Sequence, residues 1–302
     1  PLTAVDTPSQ DVIAHLHADL IHINRRSLQT GPGLAASWHL SPNGRVYTLN
    51  LRRGIRFSDG HPMDADDVVF TFTVYLDDSI HSAQRDLLVV QGKPIQVRKI
   101  DTHTVRFELA APYASAERLF DNVPILPRHR LLKAYQEGKL ARTWGIETPP
   151  DQIVGLGPFR LKEFVPGQRV ILERNPYYWR ADRDGRRLPF LEGIAIEFLP
   201  NEQIQTMRFA AGELSLISPL TAANFGELKK LEKSAPVRTY DAGPGLEYQF
   251  LVFNMNNPEP HERSEVALKR GWFRHLAFRR AVSAAIDREA IARLVYRGLA
   301  GP

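Results

Sequence analysis

The sequence predicts an α/β fold with mixed sheets, and three observations carry that expectation. Segments with apolar residues at helical spacing alternate with short period-two runs. Tight-turn pairs, Asn43-Gly44, Asp101-Thr102 and Pro166-Gly167, interleave hairpins among them. A chain of 302 residues exceeds one typical core, which leaves room for two lobes.

Taken in order, DVIAHLHADLIHI places Val12, Ile13, Leu16 and Leu20 at helical spacing, so 9–23 reads as a helix capped by Ser9. SPNGRVYTLNLRRGIRFSDG is strand material around Asn43-Gly44, with Tyr47, Leu49 and Leu51 alternating with polar or smaller neighbours. DADDVVFTFTVYL opens with Asp64 as N-cap, and Asp66 and Asp67 in the first turn suit the helix dipole. PIQVRKIDTHTVRFEL is a second hairpin. Short helices follow at 115–120 and 128–138, and Thr148-Pro149-Pro150 then marks a lobe boundary. In GPFRLKEFVPGQRVILERNPYYW a third hairpin turns at Pro166-Gly167, proline fixing one φ and glycine accepting a positive one. GIAIEFL reads as a strand, and NEQIQTMRFAAG as a helix from its Asn201 cap to Gly212. LSLI reads as a buried strand, TAANFGELKKLEKS as a helix, and VRTYD and YQFLVF as strands. FRRAVSAAIDREAIARLVYRG gives two helices, Asp287 capping the second and Gly298 stopping it.

Composition narrows the function. The chain is 43% hydrophobic and 24% charged, which excludes wholesale disorder. Its net charge of +5 is spread without a run of five basic residues, so it reads as a solvated surface and not as a nucleic-acid arm. The absence of cysteine excludes disulfides, thiolate metal sites and a cysteine nucleophile, and suits an oxidising compartment. No 18-residue apolar stretch occurs. The chain starts at Pro1-Leu2-Thr3 with no signal peptide and ends just past a helix, so both ends read as cut.

No constellation carries catalysis. Gly155 and Gly157 lack a third glycine and lead into a strand, so tight packing explains them better than a phosphate cradle. Asp59, Asp64, Asp66 and Asp67 miss the calcium-loop spacing, and helix capping accounts for most of them. His15, Asp19 and His22 would share one face of the first helix and read as a solvated face, not a metal set. Tyr177, Tyr178 and Trp179 read as a structural plug at a strand end. GxSxG, SxxK in helical context and HExxH are all missing, so a binding protein is the default.

Four phrases in order resemble one family. PGLAASWHLSPNGRVYTLNLRRGIRFSDGHPMDADDVVFTF, IVGLGPFRLKEFVPGQRVILERNPYYW, RFAAGELSLI and FNMNN…FRRAVSAAIDREAIARLVYRG are similar to signatures of the family 5 extracytoplasmic solute-binding proteins of ABC importers, the oligopeptide-, dipeptide- and nickel-binding group. The resemblance implies a two-lobed type II periplasmic-binding-protein fold. Residues 1–36 and 150–245 would form a discontinuous first lobe, 37–149 an inserted subdomain, and 246–302 the beginning of a second large lobe, truncated here. HERSEVALKRGW would be an insertion, and second-lobe specificity residues would lie beyond Pro302.

The resemblance also implies a function. Val5, Asp6 and Thr7 before the first helix, and Tyr248, Gln249 and Phe250 on the strand into the second lobe, would line the cleft. The partners would be a peptide or other small solute and the ABC permease, with no nucleic acid, no cofactor, no metal and no catalytic residue. The protein would be a periplasmic monomer, with a lipid anchor left open. Alternatives are a nickel- or haem-handling binder of the same fold, or a glycan or peptide sensor for a membrane receptor.

Overall fold

In the computed structural model the first helix, α1 (Thr7–Leu16), starts two residues earlier than expected and ends seven residues sooner. Its cap is Asp6, whose carboxylate accepts the Ser9 N–H at 2.9 Å, and not Ser9. The structure describes residues 2–4, 6–24, 27–121, 123–145, 147–241, 248–257, 261 and 263–301. His17 leaves the helix with φ −121° and ψ 173°, and a short strand follows, β1 (Ile21–Ile23). Ile21 and Ile23 are buried while His22 faces out, a period-two pattern hidden inside an apparently helical one. β1 pairs antiparallel with β2 (Thr30–Pro32).

The central element of the first half is a four-stranded sheet. Strands β3 (Ala35–Leu40) and β4 (Val46–Leu51) form the first hairpin, where Gly44 has φ +68° and the Asn43 side chain accepts the Arg45 N–H. Helix α2 (Ala65–Leu76) follows, opened by a capping box between Asp64 and Asp67. After a small ladder of β5 (Val89–Val90) and β6 (Lys93–Pro94), the expected hairpin appears as β7 (Gln96–Asp101) and β8 (Thr104–Glu108). The sheet order is β3-β4-β8-β7. Helix α2 buries Val68, Phe72 and Tyr75, with Phe72 edge-on to Phe107 at 4.9 Å. A 3-10 turn (Ala116–Phe120) packs on the same ring, Phe120 lying 4.7 Å from Phe107. Helix α3 (Arg128–Gln136) is held to α2 by polar contacts. The Asp67 carboxylate accepts the Arg128 N–H, and the Thr71 hydroxyl accepts the Leu126 N–H, each at 2.9 Å.

A second sheet is built from β9 (Phe159–Val165), β10 (Arg169–Arg174) and β11 (Gly193–Glu197), ordered β11-β10-β9. Gly167, with φ +71°, makes its turn as expected. Leu161, Val170 and Leu172 meet Leu16 of α1 in a small separate core. The backbone of Gly155 and Gly157 lies against the end of α1. A Cβ on Gly155 would sit 2.0 Å from the Leu16 carbonyl oxygen, and one on Gly157 would sit 2.4 Å from that of His15. Every pairing among the described strands is antiparallel.

The chain divides into two compact units, Pro1–Phe198 and Leu199–Pro302. The second, described by itself, contains α4 (Glu202–Ala210), α5 (Ala222–Leu231), α6 (Ser264–Arg274), α7 (Leu276–Ala285) and α8 (Arg288–Leu294). Asn201, Thr221 and Asp287 cap α4, α5 and α8. Three expectations are corrected here. LSLI, VRTYD and YQFLVF are not strands, because a strand needs a ladder partner and none stands beside them among the described residues. Leu216, at 80% exposed, is likewise not the core residue expected. Helix α6 is additional, formed in the segment that the resemblance marks as an insertion, where Glu265, Ala267, Leu268, Lys269 and Arg270 are all good helix formers.

Candidate functional site

The residues expected to line a cleft divide between the two units. Asp6 and Thr7 form the exposed start of α1 in the first unit, and Val5 lies outside the described residues. The Ser9 backbone N–H on its carboxylate, seconded by the Ser9 side chain, holds the Asp6 pKa below the ordinary value. Asp6 is thus an anion stabilised by the positive end of the helix dipole and by its capping hydrogen bond.

Tyr248, Gln249 and Phe250 lie in the second unit, all exposed, with Tyr248 at 78% and Phe250 at 70%. The Tyr248 and Phe250 rings stand 5.4 Å apart on alternate residues. Among the described residues, no backbone N–H or C=O of 248–253 is hydrogen-bonded. A segment whose main chain is unpaired among the described residues, with aromatic side chains at alternate positions, can add a ligand strand and sort its side chains.

A second constellation lies in the first unit. A groove of about 590 Å³ is lined by His22, Asn24, Thr30, Arg52, Trp179 and Arg180 among others. The imidazole of His22 lies 3.7 Å from an Asp19 oxygen and 3.7 Å from an Asp121 oxygen. The Asp19 carboxylate foremost, with that of Asp121, raises the His22 pKa above its ordinary value. These three residues could hold a cation. The expected helical face of His15, Asp19 and His22 does not form, because the helix ends first. His15 instead turns edge-on to Phe159 at 5.8 Å. Asp121 had no local sequence signal, lying 99 positions from His22.

The other clusters have structural partners. Asp59 receives His129 at 2.8 Å and Arg130 at 2.9 Å, with His61 stacked on His129 at 3.8 Å. Asp64 and Asp67 cap α2, and Asp66 pairs with Lys99 at 2.7 Å. Tyr177 covers Gly60, and Trp179 packs on the main core beneath the Arg52 guanidinium, 4.8 Å from its ring centroid.

Comparison with known proteins gives the frame for these sites. The sequence model described as bacterial extracellular solute-binding proteins, family 5 middle, matches residues 29–302. A "Probable ABC transporter-binding protein" of Deinococcus radiodurans is 29% identical over 99% of this chain and 51% of its own length. The "Periplasmic alpha-galactoside-binding protein" of Rhizobium meliloti is 29% identical over 93% of this chain and 42% of its own length. The oligopeptide-binding protein AppA from Bacillus subtilis, in complex with a nonapeptide, superposes with a TM-score of 0.58 at 26% identity. It covers 70% of this chain and 40% of its own. The chain spans about half the length of the curated relatives it matches. The fold is of the type II periplasmic-binding kind.

Proposed function

The chain belongs to the bacterial extracellular solute-binding proteins of family 5, and from that premise we propose that the whole protein captures peptides outside the cytoplasm and delivers them to the permease of an ABC importer. The observation that carries the peptide reading is the exposed segment 248–253, with its main chain unpaired among the described residues and its Tyr248–Phe250 pair. Main-chain recognition suits a transporter that must accept many side chains. The nonapeptide in the Bacillus neighbour supports the same reading.

Residues 1–36 and 150–245 belong to the first lobe, 37–149 to an inserted subdomain, and 246–302 to the start of the second lobe. Val5, Asp6 and Thr7 contribute from the first lobe, Tyr248, Gln249 and Phe250 from the second. A peptide touching both lobes binds the closed state more tightly than the open one, and so shifts the population toward the shape the permease accepts. No bond is made or broken in this cycle, so the protein acts as a carrier and not as an enzyme. It works as a monomer in the periplasm. Among the described residues no helix is long and apolar enough to cross a membrane.

A second reading, a sugar-type ligand, has one support, the galactoside-binding relative that matches at the same identity as the first. Native mass spectrometry of the full-length protein, purified without denaturation, separates the two. A ladder of added masses fitting short peptides is the expected result. A single added mass fitting a saccharide moves the assignment to the second reading. An empty protein that also fails to respond to a peptide library overturns the peptide proposal.

A further inference from the structure

We infer that Asp19, His22 and Asp121 form a binding site for a divalent cation of the zinc type, clipping strand β1 to the chain that follows the 3-10 turn Ala116–Phe120. The donor set is mixed, one imidazole nitrogen and two carboxylates, which suits a borderline metal better than calcium or magnesium. Its spacing also fits. At 3.7 Å the imidazole nitrogen is too far from either carboxylate oxygen for a hydrogen bond of normal length. Two ligands on a tetrahedral ion with bonds of about 2.0–2.1 Å stand roughly 3.4 Å apart. One donor atom from each of the three residues falls within 4.8 Å of the others, so a small inward movement completes the set.

The ligands are held from behind. The Asp121 side chain is 2% exposed, and its Oδ1 accepts the Ile23 N–H at 3.1 Å, which fixes the carboxylate's aim. The backbone of Asp19 is tied by its carbonyl, which accepts the Leu34 N–H at 3.0 Å. Glu117 bridges the Thr30 hydroxyl and the Trp38 indole N–H, seating the 3-10 turn against β2 and β3 and so presenting Asp121 to His22.

An independent feature supplies access. The His22 side chain is 48% exposed and opens onto the groove of about 590 Å³, which gives an ion its path and leaves room for a water as further ligand. Both carboxylates already engage other groups, so the cation enters by exchange. The positive charge of Arg180 also bears on His22 and limits affinity. The site uses none of the six residues assigned to the solute and goes beyond the carrier reading, since its test involves no solute.

The test is zinc titration of the untagged, chelator-stripped full-length protein, followed by calorimetry and by thermal unfolding. One zinc per chain and a rise in Tm are expected. His22→Gln and Asp19→Asn, both at accessible positions, should each weaken binding by about tenfold or more and abolish the Tm rise. His61→Ala, which removes one ring of the rival stacked histidine pair, should leave binding unchanged. Absence of heat and Tm change overturns the proposal. So does binding that survives both the His22 and Asp19 variants, or that disappears with His61→Ala.

Discussion

At the scale of residues, the buried imidazole of His17 sets one side of the acid response. Burial without a partner for its Nδ1 pushes its pKa down to about 3, below the ordinary 6.5. Between those values the unfolded chain takes up a proton that the folded chain refuses. Stability therefore falls as pH drops from about 6.5, by up to about 1.4 kcal/mol per pH unit, and is unaffected by this group above that. Asp67 acts with the opposite sign. Burial raises it from 3.8 to about 6, so its contribution is full below 3.8 and is lost as pH rises through about 6. Between about pH 4 and 6 the two slopes oppose, and wild-type stability should change little on their account. His17→Gln should remove one of them, and urea unfolding from pH 4 to 8 would show the variant gaining on the wild type as pH falls. Parallel pH profiles would refute the buried neutral ring. Glycine gives a paired prediction. Gly157→Ala drives a Cβ into the His15 carbonyl and should cost about 3 kcal/mol, whereas Gly271→Ala, in α6 with open space around it, should gain about 0.5–1 kcal/mol. Chemical denaturation reads the first, and amide exchange in α6 the second. The tight packing of Gly155 and Gly157 was legible from sequence, because proline and a following strand excluded the phosphate alternative. The partnerless His17 was not, since nothing local says which histidine faces the core.

At the scale of elements, three hairpins and most capped helices were legible, because their signals are local. Asn43-Gly44, Asp101-Thr102 and Pro166-Gly167 fix their turns within four residues, and Asp64, Asn201, Thr221 and Asp287 accept from N–H groups one turn away. Asp64→Ala should cost about 1 kcal/mol, read by equilibrium unfolding, since it removes the side-chain half of the capping box while the backbone N–H of residue 64 can still reach Asp67. The end of α1 was misread because Leu16, Leu20 and Ile23 satisfy a helical spacing while Ile21 and Ile23 satisfy a strand's. The tertiary choice went to the strand that buries Ile21 and Ile23 beside β2. LSLI, VRTYD and YQFLVF were misread for a different reason. Apolar alternation states that a segment can be a strand, but pairing is a long-range event that the segment does not encode.

At the scale of the whole molecule, the two units differ in their cores. The first holds a contiguous cluster from Leu20 to Leu156 that includes Phe57, Phe72, Phe107 and Phe120. Among described apolar residues of the second, only Leu228 and Val237 are buried. Expressed alone, residues 1–198 should melt in one cooperative transition, whereas 199–302 should unfold broadly and with little enthalpy. Scanning calorimetry of the two fragments checks this, and a sharp transition in the second would contradict it. For the solute, Tyr248→Ala and Phe250→Ala in the full-length protein should each weaken peptide binding by about tenfold, read by calorimetry. The fold and family were legible because four phrases stand in the right order. The cation cluster was not, since its members meet only after the chain has brought 121 back to 22.

The open main chain of 248–253 has a consequence for the newly made protein. Tyr248, Phe250, Leu251 and Val252 form an uncharged, β-prone run that is 61–78% exposed and carries no proline. Such a run is a template on which further copies can stack, edge to edge, into a growing aggregate. Folding of this chain is therefore a race between covering that segment and recruiting a neighbour to it. A charge introduced there would slow the recruitment.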